Sequence, residues 1–378
     1  MKKTVGIATF TGQWPLNYGS ALQTTALQWL IRDNGYNVAS ATICLGKTFD
    51  RFYSAKRFYY RYDSLGIEWI KTFFKFRSFF RKNKIKLGGH FGEFSNDQSA
   101  EKEAEKYDLL CCGSDAIWKK MFIRPFFFWG YPKLKEKPRF SYAASMQAGE
   151  FDKDYIGKLD QFSAVSVREK TTKEIIQENI KKEITVVLDP TLTVDEIRWH
   201  EVASKRLIDE PYLLCYFLTQ SERHFINVLD LARKHGMSRV VFINTDYIDK
   251  GVRVFTYYHG MEYKKTVGPA QFLSLFKYSD LICTDSYHGV CFSVVFRKQF
   301  YVMERDAKNF TRTSDYRMRD LFERLSLGER VIKYNSDVDS VKDIIWEDVE
   351  KSLRTERERS KDYLKKALNR CENGTDHK

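Results

Sequence analysis

Short apolar runs alternate with amphipathic stretches along most of the chain, each run bounded by polar or turn-forming residues. Thr4–Phe10 reads as a strand that ends in a loop with Gly12, Pro15 and Asn17. The spacing of Leu22, Ala26, Trp29 and Leu30 then predicts a helix from about Ser20 to Asn34, with Ser20 as N-cap and Gly35 as C-cap. Tyr36–Cys44 is the next strand, and Asp108–Cys112, Arg139–Ala144, Ala164–Val167 and Ile184–Leu188 are further short apolar runs. Runs of this kind suit strands covered on both faces of a parallel sheet.

A polar stretch, 193–210, follows Asp189-Pro190 and ends at Pro211. A second alternation begins there: strand Tyr212–Leu218, helix Glu222–His235, strand Val240–Asn244, helix Pro269–Tyr278, strand Leu281–Thr284, a helix from about His288 to Phe296, and strand Phe300–Met303. Two successive βα series predict an α/β protein of two Rossmann-like domains facing a cleft. The expected boundaries are 1–200 for the first domain, 201–345 for the second, and 346–378 for a charged C-terminal helix and tail. A length of 378 residues agrees, since a single core seldom grows beyond ~250–300 residues.

Composition adds three points. No stretch approaches the ~20 apolar residues of a membrane span, and Met1-Lys2-Lys3 leads directly into a strand rather than a secretory pattern, so a cytoplasmic location is expected. The seven cysteines are scattered, with no CxxC pair and no metal-like His spacing beside them, which suggests buried thiols and no metal. The net charge of +13 is concentrated: residues 51–90 hold eleven Lys/Arg against two acids, with twelve aromatic residues. This basic-aromatic segment reads as an insertion in the first domain whose partner must be anionic.

Three places carry candidate chemistry, because ligands of open α/β sheets bind beyond the carboxyl ends of strands. Asn17-Tyr18-Gly19-Ser20 lies between the first strand and first helix, either as an anion-binding helix mouth or as a simple turn and cap. Thr284-Asp285-Ser286-Tyr287-His288-Gly289 follows the apolar Leu281–Cys283, and Asp285 or Ser286 can cap the next helix. His288 would stand at that mouth as a general acid/base, or serve only structurally. Arg168 follows the run Ala164–Val167 and could clamp an anion, or form a surface pair with Glu169 or Glu174.

In this order, these pieces resemble the polysaccharide pyruvyl transferase family. The resemblance rests on Asn17–Gln23 with Ala26-Leu27-Gln28, Gly113–Trp118, Ser141–Ser145, Ser166–Lys170, Val187–Leu192 and Thr284–Gly289. Tyr287 replaces an expected phenylalanine, and Met146-Gln147 an expected Phe-Gly. The resemblance implies a fold similar to GT-B glycosyltransferases, with phosphoenolpyruvate as co-substrate, no cofactor, and a cyclic ketal formed on two sugar hydroxyls. The acceptor would be a bacterial surface-polysaccharide precursor on a polyprenyl-diphosphate carrier. By the same resemblance His288 suits the acid or the group facing the departing phosphate, Arg168 the anionic ends, and Asp285 the orientation of His288. Asn17, Tyr18, Gly19, Gln23, Ser114, Asp115, Ser286 and Gly289 would bind donor or sugar.

A GT-B glycosyltransferase using a nucleotide sugar is the alternative enzyme. Nucleic-acid binding is disfavoured, since the charge is confined to one segment and no such motif occurs. Within Arg51–Lys86, Trp69, Phe73, Phe76 and Phe80 recur at i, i+4, i+7 and i+11. Two readings remain for this stripe: a face packed on the first domain, or an interfacial helix touching the anionic inner face of the cell membrane.

Overall fold

The structure, a computed structural model, describes residues 2–13, 16–43, 67–91, 97–119, 125–146, 153–219, 221–244, 255–257, 259–304, 315–332 and 341–373. Its first sheet contains β1 (Thr4–Ala8), β2 (Asn37–Ile43), β3 (Leu87–Phe91), β4 (Leu109–Cys112) and β5 (Arg139–Ser141) in the order β3-β2-β1-β4-β5. A parallel pair, β6 (Val165–Val167) and β7 (Ile184–Val186), extends this sheet through bridges from Phe140 to Ala164 and from Ala144 to Val167. The second sheet contains β8 (Leu213–Tyr216), β9 (Val240–Ile243), β10 (Glu262–Tyr263), β11 (Leu281–Thr284), β12 (Gln299–Met303) and β13 (Val331–Ile332), ordered β10-β9-β8-β11-β12-β13. Every strand pair is parallel.

The helices are α1 (Tyr18–Asp33), α2 (Ile67–Lys82), α3 (Asp97–Ala104), α4 (Lys153–Gly157), α5 (Lys170–Gln177), α6 (Pro190–Thr193) and α7 (Glu196–Val202). They continue with α8 (Glu222–Lys234), α9 (Pro269–Tyr278), α10 (Tyr287–Val295), α11 (Asp315–Arg324) and α12 (Trp346–Glu372). Both sheets are covered on two sides, which is why their strands read as unbroken apolar runs. Along β8, Leu214 and Tyr216 enter a core shared by both domains, whereas Leu213 and Cys215 enter a core of the second domain alone. The shared core also takes Val5 and Ile7 from β1, while Ala8 faces the first domain's other side. Two Rossmann-like units with a common core between them make this a GT-B-like α/β fold.

Four details differ from the sequence reading. α1 starts at Tyr18 rather than near Ser20, because Asn17 is its N-cap: in extended conformation its Oδ1 accepts the Ser20 N–H at 3.0 Å. Residues 67–91 are no appendage, since α2 and β3 complete the edge of the first sheet; residues 44–66 lie outside the described residues. The polar stretch after Asp189 contains α6 and α7, capped by Asp189 through Thr191 N–H and by Asp195 through Ile197 N–H. Finally, α12 returns to the first domain, burying Tyr363, Leu364, Ala367, Leu368 and Cys371. There the Tyr363 hydroxyl donates to Ser141 O at 2.9 Å, and Ser360 Oγ accepts the Leu188 N–H at 2.9 Å.

Candidate active site

The candidate loops of both sheets lie beyond the carboxyl ends of their strands and meet at one seam. There α1 of the first domain and α10 of the second begin almost in contact. A Cβ on Gly19 would lie 2.2 Å from Nδ1 of His288 and 2.6 Å from its Cγ. Any side chain at position 19 would displace the imidazole or part the domains, so glycine answers to close approach here.

His288 is only 8% exposed. Its Nε2 points inward and lies 3.5 Å from Asp189 Oδ2, close enough for an ion pair but not hydrogen-bonded. Asp189 is fully buried; its Oδ1 accepts the Thr191 N–H at 3.0 Å and the Thr191 hydroxyl at 2.7 Å. Its Oδ2 accepts from Arg168 Nη1 at 3.0 Å and from Ser114 Oγ at 3.4 Å. Burial alone would raise the carboxyl pKa, but His288, Arg168 and the Thr191 N–H outweigh it and hold Asp189 well below the usual carboxylate range.

Arg168 is buried too, with its Nε donating to Glu169 Oε1 at 2.8 Å and its guanidinium 4.0 Å from the Tyr287 ring centroid. Its Nη2 is enclosed without a hydrogen-bond partner. Burial opposes the charge, yet Glu169, Tyr287, Asp189 and Asp115 together push the pKa upward, so the guanidinium stays charged. Glu169 is held by Ser145 Oγ at 2.8 Å and Thr172 Oγ1 at 3.0 Å. The pair expected at the surface is therefore a buried network, extended to the second domain by Arg324, whose Nη1 donates to Arg168 O at 3.0 Å.

Asp115 adopts φ +79°, left-handed backbone that is strained for a residue with a side chain. Its Oδ1 accepts the Ala116 N–H at 2.8 Å, and its Oδ2 accepts from Ser20 Oγ at 2.9 Å, tying the start of α1 to the loop after β4.

The seam thus gathers Gly19, Ser114, Asp115, Arg168 and His288 from the sequence candidates. Others have different work. The carboxylate facing His288 is Asp189, whereas Asp285 accepts the Leu218 N–H at 2.6 Å and the Thr219 N–H at 2.7 Å, fixing the end of β8. Tyr18 is fully buried, its ring 4.5 Å from that of Phe272 and its hydroxyl donating to Val267 O at 2.9 Å, so it fastens the two domains. Gln23 is fully buried and donates to Phe10 O at 2.8 Å, shaping the loop after β1, while its Oε1 is enclosed without a hydrogen-bond partner. Asn17 and Ser286 are helix caps, the latter through the Gly289 N–H at 3.3 Å. Gly289 lets α10 pack on Thr284, whose Oγ1 would lie 2.3 Å from an added Cβ.

Sequence reasoning missed Asp189, whose place before Pro190 is also that of an N-cap before an N1 proline. Among the described residues, no group of three or more His, Cys, Asp or Glu could hold a metal ion. At the seam, near the N-terminus of α10, two buried side-chain nitrogens have no hydrogen-bond partner: Arg168 Nη2 and His288 Nε2.

Comparison with known proteins agrees with this architecture. Similar solved structures include a Listeria monocytogenes protein assigned as a UDP-N-acetylglucosamine 2-epimerase, at 11% identity and TM-score 0.57, covering 97% of this chain and 91% of that one. Another UDP-N-acetylglucosamine 2-epimerase gives 11% identity and TM-score 0.55 over 100% and 99% of the two chains. The S. aureus MnaA–UDP structure gives 13% identity and TM-score 0.52 over 96% and 91%. At these identities the likeness is one of fold. No curated protein matches the sequence. Residues 17–307, which carry every element of the seam, match the polysaccharide pyruvyl transferase family, and the chain belongs to that family.

Proposed function

We propose that the protein transfers the enolpyruvyl group of phosphoenolpyruvate to two hydroxyls of a sugar in a bacterial surface-polysaccharide precursor, closing a pyruvyl ketal and releasing phosphate. The observation that carries this reading is the pair of buried nitrogen groups, Arg168 Nη2 and His288 Nε2, left without hydrogen bonds beside a helix N-terminus. Buried polar groups of this kind are normally satisfied, and a small dianion or trianion would satisfy both.

In the proposed reaction His288, as an imidazolium, delivers a proton to the donor's methylene carbon, and positive charge develops at C2. One sugar hydroxyl adds to C2, the C2–O bond to phosphate breaks, and the second hydroxyl closes the ring. The two hydroxyl protons balance the one given to the methyl group and the one carried away by phosphate. Arg168 and the α10 N–H groups hold the donor's anionic ends and the departing charge. Asp189 steadies the imidazolium without being protonated itself, as its depressed pKa requires.

The test is donor use. Incubation with phosphoenolpyruvate and a lipid-linked glycan extract should release phosphate and add the mass of a pyruvyl ketal to the glycan. Phosphoenolpyruvate should also raise the melting temperature, where a panel of nucleotide sugars does not. Stabilisation by nucleotide sugars alone would overturn the reading in favour of glycosyl transfer.

A further inference from the structure

α2 has two unlike faces. Phe76, Phe79 and Phe80 are buried, and Trp69 and Phe73 pack partly buried against the shared core. Lys75 Nζ donates to Thr266 O of the second domain at 2.6 Å, and the Phe76 ring stacks 5.5 Å from Tyr18. These contacts fix the rotation of the helix. The stripe predicted from sequence is its packing face.

The opposite face is the unexpected one. Ile70 is 41% exposed and Phe74 62% exposed, one turn apart on the same line of the helix. Exposed Lys71, Arg77, Arg81 and Lys82 surround them, with exposed Lys84 and Lys86 just beyond. The one acid of the helix, Glu68, lies 3.7 Å from Lys265 and so has its own cation. A helix that merely faces water carries mixed charge and few large apolar residues. Here two bulky apolar side chains sit among cations.

We propose that this outer face of α2 docks on an anionic lipid bilayer, with Ile70 and Phe74 seated at the acyl-chain boundary and Lys71, Arg77, Arg81 and Lys82 on lipid phosphates. Both halves of the surface point to the same partner, since a bilayer is negatively charged at its face and apolar just beneath. No helix of the described residues is long and apolar enough to cross a membrane, so the attachment is peripheral and reversible. Because the buried side of α2 stacks on Tyr18, the residue before Gly19, docking would also hold the seam close to the headgroups. That last consequence rests on the pyruvyl-transfer reading, in which the glycan is lipid-carried; the docking itself does not.

The experiment is co-sedimentation of the whole protein with phosphatidylcholine vesicles, with and without phosphatidylglycerol, at low and high salt. Wild type should pellet only with phosphatidylglycerol and be released by salt. Ile70→Ser with Phe74→Ser, and separately Arg77→Glu with Arg81→Glu, should each lower the partition coefficient by roughly tenfold or more, with the melting temperature unchanged. Wild type remaining in the supernatant at low salt would overturn the proposal. So would binding by both double variants equal to wild type, which would assign attachment to another segment, such as residues 44–66. Either failure leaves donor use, measured without vesicles, untouched.

Discussion

The Nε2 of His288, from the second domain, lies 3.5 Å from Oδ2 of Asp189, from the first, and this pair spans the seam between the two sheets. The same oxygen accepts from Arg168, so one carboxylate sits between a guanidinium and an imidazole. Under the proposed reaction Asp189 would orient both groups and compete with the donor anion for them.

Replacing His288 with glutamine should lower turnover about 10²-fold or more while leaving the fold intact, because the ring lies at a seam rather than in a core. Steady-state phosphate release, with melting temperature as the control, checks this. Near-normal turnover would remove His288 from the mechanism.

Arg168→Lys keeps a cation but loses the fork, so the apparent KM for the donor should rise or kcat fall. Arg168→Ala is expected to act mainly on stability. It strands Asp189 and Glu169 as buried carboxylates, a change that typically costs about 3–5 kcal/mol. Thermal melts beside the kinetics separate the two effects.

Gly19→Ala places a methyl group against the imidazole without touching any charge. Activity should fall sharply, while the change in melting temperature stays modest because the second domain can retreat slightly. Full activity in this variant would show that the two helix starts need not meet during catalysis.

Asp189 also predicts an acid dependence. Its folded pKa is depressed, so it contributes stability that is fully present above the unfolded value of about 4 and is lost as pH falls below it. Asp189→Asn should lower stability at neutral pH and flatten the fall in melting temperature on acidification. An unchanged acid slope would contradict the assignment.

Tyr18→Phe should keep the stack on Phe272 but leave Val267 O without its buried donor, at a cost of about 1–3 kcal/mol. Denaturant melts measure it. If Tyr18 bound substrate instead, the KM would move and the stability would not.

Much of this architecture was legible because it follows from burial. Strands covered on both faces must be apolar throughout, so β8, β9 and β11 could be placed within two residues. β10 and β13, two residues each, are too short to leave a pattern, and β3, Leu-Gly-Gly-His-Phe, looks like a loop. His288, Arg168 and Gly19 were singled out because a strand–loop–helix junction marks where chemistry can occur, and the fold brings them to one seam. The pairing of Asp189 rather than Asp285 with His288 was not legible, since it joins residues 99 positions apart across two domains. Likewise, the periodicity of α2 gave its apolar line but not the side against which that line packs.

The return of α12 bears on how this protein is made. Residues 346–372 are synthesised after everything they cover, yet they complete the first domain at Ser141 and Leu188. A nascent chain that already holds all of the first sheet therefore still has an unfinished apolar face where Tyr363, Leu364 and Leu368 will settle. The two halves are separate in pattern but not in assembly, and residues 1–200 expressed alone should aggregate rather than fold.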